Sequence, residues 1–322
     1  MVATVIGLIY GGFWLFTSHN AYPASVYIEP GDAFYQVVVK LSDRNVIGYP
    51  WLFSKIGIVI GLDRHIIPGR YDFPPHSSNF SVIRKLWRGD IAFVGVTIPE
   101  GFTLRQISQR LAQKCGISPA AFDSLVRDSV FLAGLDIESG FAEGYLYPET
   151  YRFEWGVAPE KTIEVMIDHM QSHLTPEMLE RAEEMGYSLH DLLVMASIIE
   201  AEGQNTAEYK TIASVYRNRL DLNMKLQADP TVIYGMGGLD RKLLIKDYQF
   251  PSTYNTYLHE GLPPTPICSP GPYAIAATLY PDSTDYLYFV ADGNGSHVFN
   301  TNYRDHLRDT ERIKKELKKR GL

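Results

Sequence analysis

The run LLVMASIIEAEG, residues 192–203, places an ionisable carboxyl, Glu200, where an apolar helix asks for another hydrophobic side chain. Leu189, Leu192, Leu193, Ala196 and Ile199 make one stripe at helical spacing, and Glu200 lies on its edge. An unpaired carboxylate taken out of water costs several kcal/mol, so the group tends to hold its proton. A carboxyl that keeps a proton near neutral pH is what general acid catalysis needs. The bland alternative is a buried ion pair with Arg217 or Arg219 from the following segment YKTIASVYRNRL. Glu202 stands roughly 200° further round the helix at about 100° per residue, so it should face another wall.

Other segments carry residues that could hold a polar substrate. LQADPTVIYG brings Gln227, a donor and acceptor suited to hydroxyls or acetamides, and Asp229, read as the N-cap of a helix with Pro230 at its first position. YNTY supplies Tyr254, Asn255 and Tyr257, whose rings can pack on the apolar faces of pyranoses while the amide reads polar edges. The segment GLPPTPICSPG reads as a stiff loop fit to form one wall of a groove. His297 and His306 have no ligand partner at metal spacing, and neither a metal nor a cofactor is expected.

The elements that must position these groups are legible in outline. Ser188 and Asp191 form a capping box that opens the Glu200 helix, and Gly203 marks its end. Upstream, VYIEPGDAFYQVVVKL from Val26 and VTIPEGFTLRQISQRL from Val96 align without a gap at an offset of 70 residues. Each reads as a short strand, a glycine turn and an amphipathic helix. Between them SSNFSVIRKLWRG reads as a capped helix with Phe80, Ile83 and Trp87 on one face. GYLYPETYRF, residues 144–153, reads as strand or extended loop, and a domain boundary is placed around residues 153–160. The C-terminal half is expected to be mainly helical, with a hairpin across GNG and a last helix from about Tyr303.

The 322 residues suffice for two or three domains, and 45% hydrophobic against 21% charged residues reads as globular. A net charge of −7, with basic residues gathered only in RIKKELKKRG, leaves no electrostatic footprint for nucleic acid. Cys115 and Cys268 are too isolated for a metal motif. Val2 to Phe16 contains no charge; it is slightly short of the about 20 residues of a spanning helix, with Trp14 and Phe16 suited to an interfacial aromatic belt. The segment is read as an uncleaved single-pass anchor, with a cleaved signal peptide as the rival.

Two resemblances sharpen this picture. The repeat opening IEPGD, followed by an apolar residue and a helix, resembles LysM-type glycan-binding modules. The segments FAEGYLYPETYRF, LLVMASIIEAEG, KLQADPTVIYGMG, YNTYLHEGLPPTPICSPG and YLYFVADGNGSHVFNTNYRDH together resemble, in order, the YceG-like family of membrane-anchored endolytic murein transglycosylases. The resemblance implies that Glu200, last in the family's A-S-I-[IV]-E motif, is the catalytic acid. Where the family often has E-K-E, this chain has EAE. It also implies a reaction without water: one glutamate protonates the leaving oxygen, the 2-acetamido group of N-acetylmuramic acid supports the cation, and its C6 hydroxyl closes a 1,6-anhydro end. Gln227, Tyr254, Asn255 and Tyr257 are then expected at the sugar, and peptidoglycan strands are the expected partner. Family membership further implies a cell-membrane location, the bulk of the chain outside the cytoplasm, and action beside glycan-polymerising penicillin-binding synthases. The expected class is α+β: an anchor over 1–18, a LysM-like module over 22–95, a second repeat and connector over 96–155, and a catalytic domain over 156–322. A non-catalytic murein-binding scaffold and a hydrolase using Asp229 or Glu143 as second carboxylate are the alternatives.

Overall fold

The computed structural model describes residues 14–29, 31–203 and 205–320. The anchor expected over 1–18 lies outside these residues except for its last five. Among the described residues no helix is long and apolar enough to cross a membrane. Trp14, expected in an interfacial belt, is instead a core residue: its ring meets Phe53 edge-on and its indole N–H donates to the Gly48 carbonyl at 3.2 Å. Phe16 is exposed.

The chain divides into two units. The first comprises the described residues up to Val96, with Leu111–Ile117 and Tyr151–Ala158. Its opening strand β1 (Ala24–Ile28) leads into helices α1 (Phe34–Asp43) and α2 (Pro50–Val59) and then strand β2 (Gly69–Phe73). The two strands pair antiparallel, Val26 opposite Tyr71, and alternate residues Val26, Ile28, Tyr71 and Phe73 turn inward as the period of two requires. Val37, Val38 and Leu41 of α1 close over them. Helix α3 (Asn79–Trp87) is capped as expected, the Ser78 hydroxyl accepting from the Ser81 N–H. Its buried face differs from the expected one. Asn79, Val82 and Leu86 point inward, while Phe80 and Trp87 are exposed and Ile83 is only partly covered. Strands β3 (Phe93–Thr97) and β4 (Thr150–Glu154) form a second pair, and helix α4 (Leu104–Cys115) contributes its last turn to this unit. Both repeats are therefore strand, turn and helix, with Gly31 and Gly101 at φ +90° and +75°, a region that favours glycine. Cys115 and Cys268 are buried free thiols.

The second unit is mainly helical. After α5 (Pro119–Leu125) and α6 (Ser129–Ala133), α7 (Pro159–His173), α8 (Pro176–Glu184) and α9 (Leu189–Glu202) follow in close succession. Helices α10 (Tyr209–Asp221), α11 (Asp229–Gly235) and α12 (Pro272–Leu279) come next. An antiparallel hairpin, β5 (Tyr288–Ala291) with β6 (His297–Asn300), precedes the last helix, α13 (Tyr303–Lys319). Helix α9 begins at the expected capping box. The Ser188 hydroxyl accepts from Asp191 N–H at 3.1 Å, and the Asp191 carboxylate accepts from Ser188 N–H at 3.1 Å. The helix is not striped: residues 192–199 are all buried, because α10, α11 and α12 pack around it. Ala274 and Ala277 on α12 let that helix come close. Full burial of each Leu or Ile on α9 contributes about 1.5–3 kcal/mol. That packing makes α9 a rigid mount for the residue near its end, Glu200.

Candidate active site

Glu200 is half-buried in the last turn of α9. Neither arginine that might have neutralised it does so. Arg217 bonds Asp221 and the Met185 carbonyl, and Arg219 bonds the carbonyls of Leu287 and Leu226. The two carboxyl oxygens of Glu200 instead meet neutral donors. Gly271 N–H donates to Oε2 at 2.9 Å and the Tyr209 hydroxyl to Oε1 at 3.1 Å.

Each donor is held by a local device. The stiff loop before α12 is pinned to α9 by Ser197, which lies three residues before Glu200 and so on the same side of the helix. Ile267 N–H donates to the Ser197 hydroxyl at 3.0 Å, and the Cys268 thiol to the Ser197 carbonyl at 3.3 Å. Gly271 is then delivered to Glu200. Tyr209 is the first residue of α10, and its ring packs on Gly203. A Cβ at Gly203 would collide with the ring. Gly203 is the C-cap, but with φ −84° it is there for space rather than for a left-handed turn.

Burial raises the pKa of Glu200 above the usual carboxylate range, and the Glu100 charge adds to the rise. The Gly271 and Tyr209 bonds pull the other way without cancelling it. The negative end of α9 also opposes ionisation. The result is a carboxyl group that keeps its proton to higher pH than an ordinary carboxyl and whose conjugate base has two donors waiting.

Glu202 faces elsewhere, as its helical angle requires. Its carboxylate accepts from the Tyr216 hydroxyl at 2.8 Å, and burial, then the Asp229 charge, push its pKa up to about 7. Asp229 is not the N-cap expected of it. Ala228 holds that position, and the Asp229 carboxylate accepts from the Tyr257 hydroxyl at 2.6 Å and lies 3.5 Å from that of Tyr248. The rings of Tyr248 and Tyr257 pack at 4.5 Å. Glu143 is 2% exposed and accepts from Leu104 N–H, at the start of α4, and from the Tyr234 hydroxyl, each at 2.8 Å. It ties the start of α4 to α11 and is closed to substrate.

The remaining expected sugar contacts separate. Gln227 is exposed at φ +51°, and its backbone N–H donates to the Thr256 carbonyl. Tyr254 is half-buried, shares a hydrogen bond with Thr265 at 2.8 Å and meets Tyr234 edge-on. Tyr257 is half-buried and committed to Asp229. Asn255 is a correction. It is fully buried, donates to the carbonyls of Tyr248 and Phe250, and accepts from Tyr257 N–H, so it holds its own loop and cannot reach a sugar. His297 bonds Glu208 at 2.8 Å, and His306 stacks on Tyr288. Among the described residues no group of three His, Cys, Asp or Glu could hold a metal ion.

Sequence reasoning missed Tyr209 and Gly271. The signal for Tyr209 was weak, an aromatic six residues past a helix-ending glycine. That for Gly271 was a glycine before a helix-opening proline in a loop already read as a groove wall.

The YceG-like family model matches residues 26–312. The endolytic murein transglycosylase of Bacillus subtilis (strain 168) is 36% identical over an alignment of 248 positions that covers 72% of this chain and 69% of that one. That of Streptococcus pneumoniae serotype 2 (strain D39) is 30% identical over an alignment of 273 positions that covers 75% of this chain and 49% of the relative. The chain thus spans about half the length of the pneumococcal protein. A crystal structure of a yceG-like protein from Listeria monocytogenes superposes with a TM-score of 0.63 at 31% identity, covering 89% of this chain and 98% of that one.

Proposed function

The chain belongs to the YceG-like family, and on that premise we propose that it is an endolytic murein lytic transglycosylase with Glu200 as its general acid and base. The observation that carries this reading is the setting of Glu200: a half-buried carboxyl on a rigid helix, without a cation, held between an amide and a tyrosine hydroxyl. Its proton passes to the oxygen of the bond from N-acetylmuramic acid to N-acetylglucosamine, and the C1–O bond breaks. The 2-acetamido group supports the positive charge left at C1. Glu200, now a carboxylate with donors on both oxygens, takes the proton of the C6 hydroxyl as that oxygen bonds to C1. The product is a 1,6-anhydro end, no water is consumed, and the enzyme is returned with its proton. A single group acting twice fits the burial of Glu143, which is closed to substrate and so cannot serve as the second carboxylate of a hydrolase.

Gln227 and the faces of Tyr254 and Tyr257 are the sugar contacts in this reading, supported by exposure of the first and partial exposure of the others. The uncharged run from Val2 supports an anchor that keeps the enzyme beside the membrane, where nascent strands leave the glycan-polymerising synthases. The paired strand–turn–helix repeats support LysM-like binding of glycan. Mass analysis of murein digests tests the chemistry: anhydro ends from the wild type, none from Glu200→Gln.

A further inference from the structure

The turn of the second repeat, Pro99 to Phe102, is fastened to the loop that holds Glu200. Gly101 N–H donates to the Ser269 carbonyl at 2.9 Å, and Ser269 N–H to the Phe102 carbonyl at 2.8 Å. A Cβ built on Gly101 would lie 3.9 Å from Cγ of Glu200. Gly271 stands between two carboxyl groups. Its N–H donates to Glu200, and its α-carbon faces the carboxyl of Glu100 so closely that a Cβ would run into it. Glu100 is exposed, and no described side chain pairs with it. A carboxylate without a partner, against the same glycine as the catalytic one, has no structural task that explains its charge.

We propose that Glu100 is a positioning residue of the active site, a second carboxylate that acts through Glu200. This rests on the reading of Glu200 as the general acid and base. The groups facing Glu200 are Tyr209 from α10, the Gly271 amide and Cys268 from the loop, and Glu100 from the turn. Burial holds the Cys268 thiol neutral, and among the described residues no Lys, Arg or His acts on Glu200. Glu100 is therefore the charge that distinguishes one state of Glu200 from the other. Before the first proton transfer, like-charge repulsion keeps the proton on Glu200. After it, the same repulsion makes the Glu200 carboxylate a stronger base toward the C6 hydroxyl. Burial remains the larger cause of the raised pKa, and the Glu100 contribution, coming from an exposed group, is open to screening by salt.

The test is Glu100→Gln, which keeps the shape and removes the charge, with Glu100→Asp restoring the charge at shorter reach. The pH profile of kcat/KM on purified murein is measured at low and high salt. Alongside it, the Glu200 carboxyl is titrated by infrared spectroscopy, its band identified by loss in Glu200→Gln. In Glu100→Gln the basic limb and the infrared titration should both move to lower pH by about half a unit to one unit. Glu100→Asp should recover most of the shift, and high salt should move the wild-type limb toward that of the variant. An unmoved limb and titration, or a loss equal at every pH, would overturn the proposal. So would reducing ends in the products that depend on Glu100, which would make it a base for water. Wild-type protein that releases no glycan fragments refutes the reading of Glu200 instead, and the infrared titration still decides whether the two carboxyls are coupled.

Discussion

Replacing Glu143 with Gln separates a carboxyl that builds the fold from one that does chemistry. Glu143 is sealed off from water, and burial raises its pKa from 4.5 to about 7 against the pull of its two donors. The unfolded chain ionises this group at its ordinary value, so the folded state binds the proton more tightly. The contribution is therefore fully present below about pH 4.5 and is lost as pH rises through about 7. A gap of roughly 2.5 pH units at about 1.36 kcal/mol per unit amounts to about 3 kcal/mol. Gln keeps an acceptor for Leu104 N–H, and the Tyr234 hydroxyl can turn to accept from the new amide. Urea melts at pH 5.5 and 8.5 measure the effect. At pH 5.5 the variant should lie within about 1 kcal/mol of wild type or below it. By pH 8.5 it should have gained on wild type by the greater part of that 3 kcal/mol, with cleavage per folded molecule unchanged. A stability gap that does not vary with pH would refute the placement of a proton on Glu143. Loss of cleavage in a fully folded variant would restore it as a catalytic candidate.

Tyr209→Phe removes a donor from Glu200 and keeps the ring on Gly203. A hydrogen bond to a carboxylate contributes about 1.5–3 kcal/mol, so cleavage should fall roughly 10- to 100-fold, with the basic limb moving to higher pH; steady-state rates across pH check this, and an unchanged profile contradicts it. Gly203→Ala should displace the Tyr209 ring, reproduce that loss and cost a further 1–3 kcal/mol or so in a denaturant melt; wild-type behaviour in both would show that the contact yields freely. Asn255→Ala should lower the melting temperature sharply, because about 1–3 kcal/mol is lost for each buried group left unpaired, while cleavage per folded molecule persists. Gln227→Ala should do the reverse, lowering kcat/KM with little change in melting; equal effects from the two substitutions would undo the distinction between them.

How far the sequence could be read depended on whether a residue's partners were near it in the chain. The start of α9 was legible because Ser188 and Asp191 cap each other three residues apart, and Glu200 because it interrupts an apolar run. The repeats were legible because a glycine turn separates two periodicities, and both glycines do take positive φ. The cradle of Glu200 was not, since Gly271 lies 71 residues away and reaches it only through the Ser197 clasp. On α3 the aromatics misled. Phe80, Ile83 and Trp87 share helical spacing, yet Val82 and Leu86 fit the core and leave Phe80 and Trp87 outside. Asn255 was misread for a different reason. Its neighbours are irregular, and an amide in such a segment serves backbone or ligand equally well until the carbonyls of Tyr248 and Phe250 are seen to claim it.

The central claim, one carboxyl acting first as acid and then as base, is tested most directly by mass spectrometry of murein digested by wild type and Glu200→Gln, with both proteins melted in parallel. The account predicts internal cleavage to 1,6-anhydro ends by wild type. It predicts a fall of at least about 10²–10⁴-fold in the variant, whose melting temperature should hold or rise slightly because a half-buried ionisable group has been removed. Reducing ends from the wild type, or anhydro ends from the variant at a comparable rate, would contradict it.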